Sequence, residues 1–284
     1  PSMIPTYYLA KEVSNHVKVV LGGDGADEML SGYKRYAIQK RNVFLNYLPS
    51  SYRNFNKSLL KHTPLAFSKS AGWGKANRLL ESLSGDMIDT YYLRLSGFSK
   101  KQKFDLFGQD KTQISQNIWN EDIYDYFAKH SNLSSIDQLM AVDQITHLPE
   151  YILTKSDISG MANGLEARAP FIDVEFIEWI NKLNPSFKDG NYSKRILKDI
   201  LQDSGVAKDI VHRKKAGFTP PLKGWIKDSN EEIRHYLLSE ESTLNFLDKD
   251  YLKGIYDYNH SNDYPMPNHL YTLLTLGIWL DNLI

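Results

Sequence analysis

Residues 17–28 read VKVVLGGDGADE, and this stretch decides the fold class of the 284-residue chain. Residues 17–21 form a β-branched run that has the length and the glycine stop of a buried strand. A glycine-rich turn follows, and Asp27 and Glu28 then open a helix, because acidic residues in a first turn suit the positive end of the helix dipole. The sequence therefore predicts a strand, a tight turn and a helix in succession.

The turn at residues 22–25 is a candidate phosphate site. A strand, a glycine-rich turn and a helix N-terminus can together bind phosphate, because backbone N–H groups converge there. Asp24 and Asp27 would repel a bare phosphate, so a divalent cation between the carboxylate and phosphate oxygens reconciles the charges. The string does not match the dinucleotide-binding, P-loop or EF-hand patterns. A tight turn with an acidic helix cap remains the alternative interpretation.

Most of the remaining chain carries helical periodicity. A helix that Thr6 caps is expected over residues 7–15, and the helix that Asp27 opens is expected to continue to about Gln39. Apolar residues three and four positions apart predict further helices over 86–95, 135–147, 174–182, 193–203 and 268–283.

Residues 17–21 are the only convincing strand in the sequence. Because one strand cannot form a sheet, we expect its partner strands in sequence upstream of Pro1. The sequence shows no internal repeat, no low-complexity stretch and no long charge block. The predicted fold class is therefore mainly α, with a remnant of an α/β sheet.

Composition excludes several classes of protein. Lys+Arg and Asp+Glu each number 34, so the net charge is zero, and the strongly basic character of nucleic-acid binders is absent. The chain has no cysteine, which excludes a disulfide framework, a thiolate metal site and a cysteine nucleophile. The apolar run at 273–280 is too short to cross a bilayer, which needs about 20 residues. We expect a cytoplasmic protein that binds neither nucleic acid nor membranes.

Further stretches place charged residues in helices or turns. Residues 153–173 mix charged with small and apolar residues, which suggests buried ion pairs; a Glu166–Arg168 pair that fixes a turn is the structural alternative. Residues 192–198 begin a helix with three cations, which is typical on its own of a solvated surface. Residues 213–221 form a basic loop that can hold an anion or act as a linker. The histidines lack zinc-binding spacing.

Together with the glycine-rich turn, these stretches resemble the synthetase domain of the glutamine-hydrolysing asparagine synthetases. The family's phosphate loop, its Lys-x-Asp and Glu-Ala-Arg-x-Pro-Phe-x-Asp signature, its Lys-x-x-Leu-basic helix and its Arg-x-Lys-x-Gly-Phe loop occur in the same order over residues 2–225. The tail at 226–284 is helical and only weakly covered. The matching positions are 21–28 with Gly32-Tyr33, 148–173, 194–198, and 213–220 with Lys215 in the lysine position.

The resemblance implies a fold and a reaction. Residues 1–284 would be the C-terminal, largely helical part of an adenine-nucleotide α-hydrolase-like (ATP-pyrophosphatase) synthetase domain. In that family, the side-chain carboxylate of aspartate attacks the α-phosphate of ATP and gives β-aspartyl-adenylate and pyrophosphate. Ammonia released from glutamine then displaces AMP and yields asparagine. The small molecules implied are aspartate, ATP, ammonia from glutamine, and Mg²⁺.

The resemblance also assigns roles to residues in and near the turn. Asp24 falls on the acid that is tied to forming and using the adenylate, and it is a candidate acceptor for a proton from ammonia. Asp27 falls on a magnesium ligand. Lys194 falls on the lysine that neutralises charge developing on the α-phosphate. The ATP-binding positions are Leu21, Gly22, Gly23 and Gly25.

The chain departs from the family pattern within the loop and at its upstream side. Gly22 replaces a serine, which removes a hydroxyl contact to the nucleotide, and Asp24 is one methylene shorter than the glutamate of several members. The other ATP loop, Ser-Gly-Gly-x-Asp-Ser, and the N-terminal cysteine of the glutaminase domain do not occur in this sequence. We expect both in an upstream part of a longer enzyme, so this chain should be inactive alone. The resemblance also allows a homodimer.

Two alternative functions remain open. Related enzymes keep the adenylation chemistry but amidate or cyclise another carboxylate, as cell-surface polysaccharide amidotransferases and β-lactam synthetases do. Asp24 and Lys194 do not distinguish these enzymes, because adenylation is common to them. The other alternative is a non-enzymatic helical module, in which the same residues have only structural roles.

Overall fold

The computed structural model shows a mainly helical protein with a small parallel sheet, which confirms the coarse fold class. The chain divides into two compact units, Pro1–Val43 with Tyr126–Pro220 and Phe44–Asp125 with Pro221–Ile284. The structure describes residues 1–38, 91, 95, 97–98, 100–107, 120–188, 193–213, 217–261 and 266–283.

Short helices joined by tight turns make up most of the described chain. In chain order, the elements are α1 (Met3–Val13), β1 (Val19–Leu21), α2 (Ala26–Met29), α3 (Lys100–Phe107), α4 (Asn120–Lys129), α5 (Ser135–Ile145), a π-helical segment (Leu148–Leu153), α6 (Thr154–Met161), β2 (Glu166–Arg168), a 3₁₀ turn (Pro170–Ile172), α7 (Val174–Lys182), α8 (Pro185–Lys188), α9 (Arg195–Asp203), α10 (Lys208–Val211), α11 (Leu222–Asp228), α12 (Asn230–Leu238), α13 (Lys249–Ser261) and α14 (Pro267–Asp281).

The predicted strand at 17–21 is present as β1, and it pairs in parallel with β2. The expectation that its partner strands lie upstream of the chain is therefore wrong for β2. The short Glu-Ala-Arg sequence of β2 has no β-branched residue, so its side chains gave no strand signal. Backbone hydrogen bonds hold it, from Glu166 N to Lys18 O (2.9 Å) and from Gly22 N to Arg168 O (2.7 Å).

The side chains of β1 are more exposed than the sequence predicts. Leu21 is 75% exposed, and Val19, on the same face of the strand, is exposed as well. Val20, which lies opposite Ala167 in the register, is half-buried. The prediction of a buried strand is thus wrong for the part of the chain that the structure describes.

Most of the predicted helices are present with bounds close to those expected. α1 begins at Met3 rather than after Thr6, whose hydroxyl donates to the Ser2 carbonyl (2.8 Å) from inside the helix. The helix predicted over 86–95 lies largely outside the described residues. The helices predicted over 135–147, 174–182, 193–203 and 268–283 correspond to α5, α7, α9 and α14.

The helix that Asp27 opens is shorter than predicted. α2 has four residues, and the chain then turns through Ser31, which has a φ of 55°. The backbone becomes helical again over 34–38, and the predicted end of this helix lies outside the described residues. The Leu30 carbonyl accepts a hydrogen bond from Lys194 N (2.9 Å). The interruption therefore lets a segment distant in sequence pack beside α2.

Each unit has its own apolar core. In the first unit, Met29 and Leu30 of α2 pack with Leu148 and Ile180, which anchors α2 below the glycine turn. None of the described helices is long and apolar enough to cross a membrane. The core of the second unit includes Leu222, Ile226, Ile233, Leu237, Leu244, Leu252, Leu270 and Leu273, contributed largely by α11–α14.

Candidate functional site

The turn between β1 and α2 is anchored on one side and open on another. Gly25 has a φ of 87°, and a Cβ there would lie 2.5 Å from Ile172 Cγ2, so only glycine fits. Gly22 N donates to Arg168 O (2.7 Å), which extends the strand pairing into the turn. At Gly23, apart from its neighbours in the chain, no atom of the described residues lies within 4 Å of the Cβ position. The turn therefore leaves space for a ligand at Gly23.

Asp24 lies in the wall of a pocket of about 220 Å³. Its Oδ2 accepts a hydrogen bond from Ser156 Oγ at 2.6 Å. The wall also contains Gly22, Asp157 and Arg168, and the rest of it is largely apolar, with Leu153, Met161 and Ile172 among the lining residues. This pocket lies at the ends of β1 and β2, the edge at which ligands bind in open parallel sheets.

Asp27 contacts a different partner. Its Oδ1 lies 3.1 Å from Lys194 Nζ, and the two side chains are 21% and 24% exposed respectively. A Cβ at position 32 would lie 1.8 Å from Asp27 Oδ1 and 2.4 Å from Lys194 Cε, so Gly32 is required for this contact. The backbone of Lys194 has a φ of 56°, a conformation that residues other than glycine rarely adopt. The fold thus brings Lys194 to α2 at a cost in backbone strain.

The two acids of the turn are placed differently with respect to the pocket. Asp24 is part of the pocket wall, whereas Asp27 is not. Within the described residues, no group of three or more His, Asp or Glu side chains could hold a metal ion.

Behind the turn, Glu28 is buried and paired with a tyrosine. Tyr33 OH donates to Glu28 Oε1 at 2.5 Å. Burial raises the pKa of the Glu28 carboxyl, an effect that the hydrogen bond from Tyr33 opposes. Glu28, the second acid of the predicted first turn, is therefore a buried residue that does not contribute to the pocket wall.

A buried ion pair lies next to this tyrosine. Arg35 donates to Asp143 Oδ2 from Nε (2.9 Å) and from an Nη atom (2.7 Å), and Tyr36 OH donates to the same oxygen. Asp143 is fully buried. The Arg35 guanidinium also lies over the Tyr33 ring, 3.8 Å from its centroid. These contacts fix the segment that follows the turn against α5.

His147 extends the same polar cluster. Its ring lies edge-on to Tyr33 (5.8 Å between centroids) and stacks on Tyr151 (5.1 Å). Burial, with a further contribution from the positive charge of Arg35, lowers the pKa of His147 to about 4. The imidazole is therefore neutral at physiological pH.

Sequence reasoning missed several of these residues and misjudged one pair. Glu166 and Arg168 form the ion pair that the structural alternative predicted (2.8 Å), but their side chains are 51% and 65% exposed, so the buried ion pairs expected in this stretch do not include this one. Ser156 lies inside the Lys-x-Asp string that the sequence singled out, and that proximity was the one available signal. Nothing in the sequence connects Arg35 with Asp143. Positions 214–216 of the predicted basic loop lie outside the described residues.

Comparison with known proteins gives a consistent result. The sequence model of the asparagine synthase family matches residues 1–281. Asparagine synthetase [glutamine-hydrolyzing] 1 of Bacillus subtilis is 28% identical over 279 residues, which cover 98% of this chain and 43% of that protein. A putative asparagine synthetase [glutamine-hydrolyzing] of Mycobacterium tuberculosis is 28% identical over 228 residues, which cover 80% of this chain and 33% of that protein.

A nodule asparagine synthetase [glutamine-hydrolyzing] of Pisum sativum is 33% identical over 112 residues, or 36% of this chain and 19% of that protein. No solved structure gives a significant match. The chain spans less than half the length of these curated relatives. Because the family model covers nearly the whole chain, the resemblance inferred from the sequence motifs is confirmed. The chain belongs to the asparagine synthase family.

Proposed function

We propose that this chain serves an ATP-dependent amide ligase that makes asparagine from aspartate through a β-aspartyl-adenylate. The observation that carries the proposal is the 3.1 Å contact between Lys194 Nζ and Asp27 Oδ1. These two residues are far apart in sequence, yet each occupies a position to which the family pattern assigns a role in ATP chemistry. The names of the relatives support asparagine as the product.

Adenylation is the first proposed step. A carboxylate oxygen of aspartate attacks the α-phosphorus of ATP, and the bond between that phosphorus and the pyrophosphate oxygen breaks. Negative charge develops on the phosphate oxygens, where the ammonium of Lys194 would stabilise it. Leu21, Gly22, Gly23 and Gly25 would hold the nucleotide through the backbone. A Cβ at position 22 would meet no atom closer than 3.8 Å, so the turn could also accommodate the serine of the family pattern.

Amide formation is the second proposed step. The lone pair of ammonia attacks the acyl carbon, a C–N bond forms, and the C–O bond to AMP breaks. The nitrogen must lose a proton, and the carboxylate of Asp24 would accept it. The position of Asp24 in the pocket wall supports this role, because the acyl group has to lie within reach of the carboxylate.

Asp27 is the proposed magnesium ligand. Mg²⁺ is usually held by one or two carboxylates together with phosphate oxygens and water, so one aspartate is sufficient on the protein side. The contact with Lys194 supports the assignment, since both residues are proposed to act on the phosphate groups of the same ATP molecule. When bound, the ion supplies charge neutralisation to the phosphates of ATP.

The proposed activity belongs to a longer protein. The chain covers 43% of the Bacillus subtilis relative, which supports a further part that carries the glutaminase domain and the other ATP loop. We propose for the complete synthetase domain the ATP-pyrophosphatase fold and a cytoplasmic location. The 284-residue chain alone should give no aspartate-dependent ATP–pyrophosphate exchange. Exchange above that of a heat-inactivated sample would contradict this expectation.

Exchange of labelled pyrophosphate into ATP by the full-length protein tests the proposal. We expect exchange that depends on aspartate and on Mg²⁺, and asparagine with stoichiometric AMP when ammonia or glutamine is added. Glutamate and succinate are matched control carboxylates. Exchange with another carboxylate but not with aspartate would favour a related adenylating enzyme. Absence of exchange with every carboxylate would favour a non-enzymatic role.

A further inference from the structure

A side-chain hydrogen bond ties the glycine turn to helix α6. Ser156 Oγ donates to Asp24 Oδ2 at 2.6 Å, and both residues are half-buried in the pocket wall. We infer that Ser156 is a positioning residue that orients the Asp24 carboxylate for proton transfer from the attacking ammonia. This inference rests on the proposed function and adds to it a residue outside the positions that the family pattern assigned.

The local backbone explains why Ser156 points at the turn. The π-helical segment Leu148–Leu153 runs directly into α6, and Thr154 Oγ1 donates to Pro149 O at 2.8 Å across the junction. A π-helical turn holds one residue more than an α-helical turn, so it rotates the following side chains about the helix axis. Ser156, in the first turn of α6, thereby faces Asp24. Such π-helical segments are frequent at functional sites.

The hydrogen bond changes what Asp24 can do. An aspartate side chain rotates about two bonds, and a partly exposed carboxylate samples several orientations. A hydroxyl donor on Oδ2 restricts these rotations, and a hydrogen bond to an ionised acceptor is stronger than one between neutral groups. The carboxylate retains acceptor capacity on its other oxygen for the proton of ammonia. The Lys194 ammonium cannot take over this task, because it has no lone pair with which to accept a proton.

A purely structural role makes a different prediction. If the bond only fastened α6 to the turn, its removal would lower the stability of the protein and leave the turnover of the folded enzyme unchanged. If Ser156 orients Asp24, the turnover number falls while the affinity for ATP is retained, because ATP is held by other atoms. Measurements of kcat and KM therefore distinguish a structural role of Ser156 from a positioning role.

Three variants of the full-length enzyme test the inference by the rate of asparagine formation with saturating ammonia. We expect Ser156→Ala to lower kcat about tenfold to hundredfold, with the KM for ATP changed less than about threefold. Ser156→Thr retains a hydroxyl and should recover kcat to within about threefold of wild type. Ser159→Ala, on the same helix but outside the pocket wall, is the control for loss of a serine hydroxyl from α6 and should leave kcat unchanged.

A crystal structure of each variant gives a readout that does not depend on activity. Asp24 should adopt one orientation in the wild type and in Ser156→Thr, and more than one in Ser156→Ala. Full activity of Ser156→Ala, or an Asp24 that keeps its orientation without the hydroxyl, would overturn the inference. If the wild-type enzyme made no asparagine, the proposed function would fail, and the orientation of Asp24 would still decide the role of Ser156.

Discussion

The two units differ in what they bury. In the first unit, the side chains removed from water include the charged residues Glu28, Asp143 and Lys188. In the part of the second unit that the structure describes, the buried polar residues are Ser242, Asn259 and His269, and the core is otherwise aliphatic and aromatic. The glycine turn and the pocket at Asp24 also belong to the first unit, as do Ser31 and Lys194, the two residues other than glycine that have a positive φ in the part of the chain that the structure describes.

The buried charges of the first unit and the apolar core of the second unit call for different physical explanations. A buried charge contributes little net stability, because the loss of hydration offsets most of the attraction to its partner. Apolar burial, in contrast, stabilises in proportion to the area removed from water. The buried Arg35–Asp143 pair of the first unit is therefore better explained by how it positions the segment that follows the turn. The core of the second unit is explained by stability alone. Each of the following variants tests one side of this contrast.

Removal of the buried acid should have the largest effect on stability. We expect Asp143→Ala to lower the free energy of unfolding by about 3–5 kcal/mol, because Arg35 is left as a buried charge without its partner. Urea unfolding followed by circular dichroism at pH 7 measures the change. A loss below about 1 kcal/mol would mean that the pair is not an important constraint on the first unit.

A core substitution in the second unit should be costly for stability and neutral for catalysis. We expect Leu270→Ala, at a fully buried position, to lower the free energy of unfolding by about 2–5 kcal/mol. The kcat of the folded full-length enzyme should stay within about threefold of wild type. Leu283→Ala, at an exposed position near the end of the chain, is the control. A tenfold loss of kcat in Leu270→Ala would break the contrast between the units.

The half-buried His147 gives the first unit a pH dependence whose sign follows from its pKa. Because burial lowers the pKa of His147 to about 4 from 6.5, the unfolded state binds a proton first as the pH falls. The stability that this residue contributes is complete above pH 6.5 and decreases towards pH 4, by about 3 kcal/mol at most.

His147→Phe keeps a ring between Tyr33 and Tyr151 but cannot be protonated. The difference in unfolding free energy between wild type and this variant should therefore change between pH 7 and pH 4, with the wild type losing more. A difference that stays constant across that range would show that His147 is protonated equally well in the folded state.

The exposed ion pair should have the smallest effect. Glu166→Gln removes a charge from the Glu166–Arg168 pair, whose side chains are about half or more exposed. Because exposed pairs contribute about 0–1 kcal/mol, we expect a change below about 1 kcal/mol in the free energy of unfolding. A loss comparable with that of Asp143→Ala would mean that exposure does not separate the two pairs.

Local pattern predicted the parts of the fold that depend on neighbouring residues. Residues within a few positions of one another were sufficient to predict β1 from its β-branched run, the turn from the glycine at position 25, and α7 from its apolar periodicity. β2 could not be predicted in this way, because pairing with β1 rather than side-chain propensity makes it a strand. The end of α2 was missed because Lys194 N competes for the Leu30 carbonyl.

The residues of the candidate site also divide into those that sequence motifs identify and those that only contacts between distant segments reveal. Motif order identified Asp24, Asp27 and Lys194, and the structure adds which of them are in contact. The role of Gly32 is visible only once the Asp27 carboxylate and the Lys194 side chain are seen to pass close to it. Contacts such as Ser156 with Asp24 join segments 132 positions apart, and composition or periodicity carries no information about them.

In the proposed function, Lys194 stabilises the charge that develops on ATP at the glycine turn. Arg195 is a suitable control, because it is the next residue and makes an exposed i,i+4 pair with Asp199 (3.4 Å). Lys194→Ala and Arg195→Ala can be compared in the full-length enzyme by the rate of adenylate formation, with circular dichroism as a check on folding. Removal of one stabilising donor typically costs about 100-fold or more in rate.

The most direct measurement is thus the single-turnover rate at which aspartate and ATP give the adenylate in these two variants. We expect Lys194→Ala to lower this rate at least about 100-fold while its fold is intact, and Arg195→Ala to stay within about threefold of wild type. A Lys194→Ala enzyme that formed adenylate within about tenfold of wild type, equivalent to about 1.4 kcal/mol, would contradict the account.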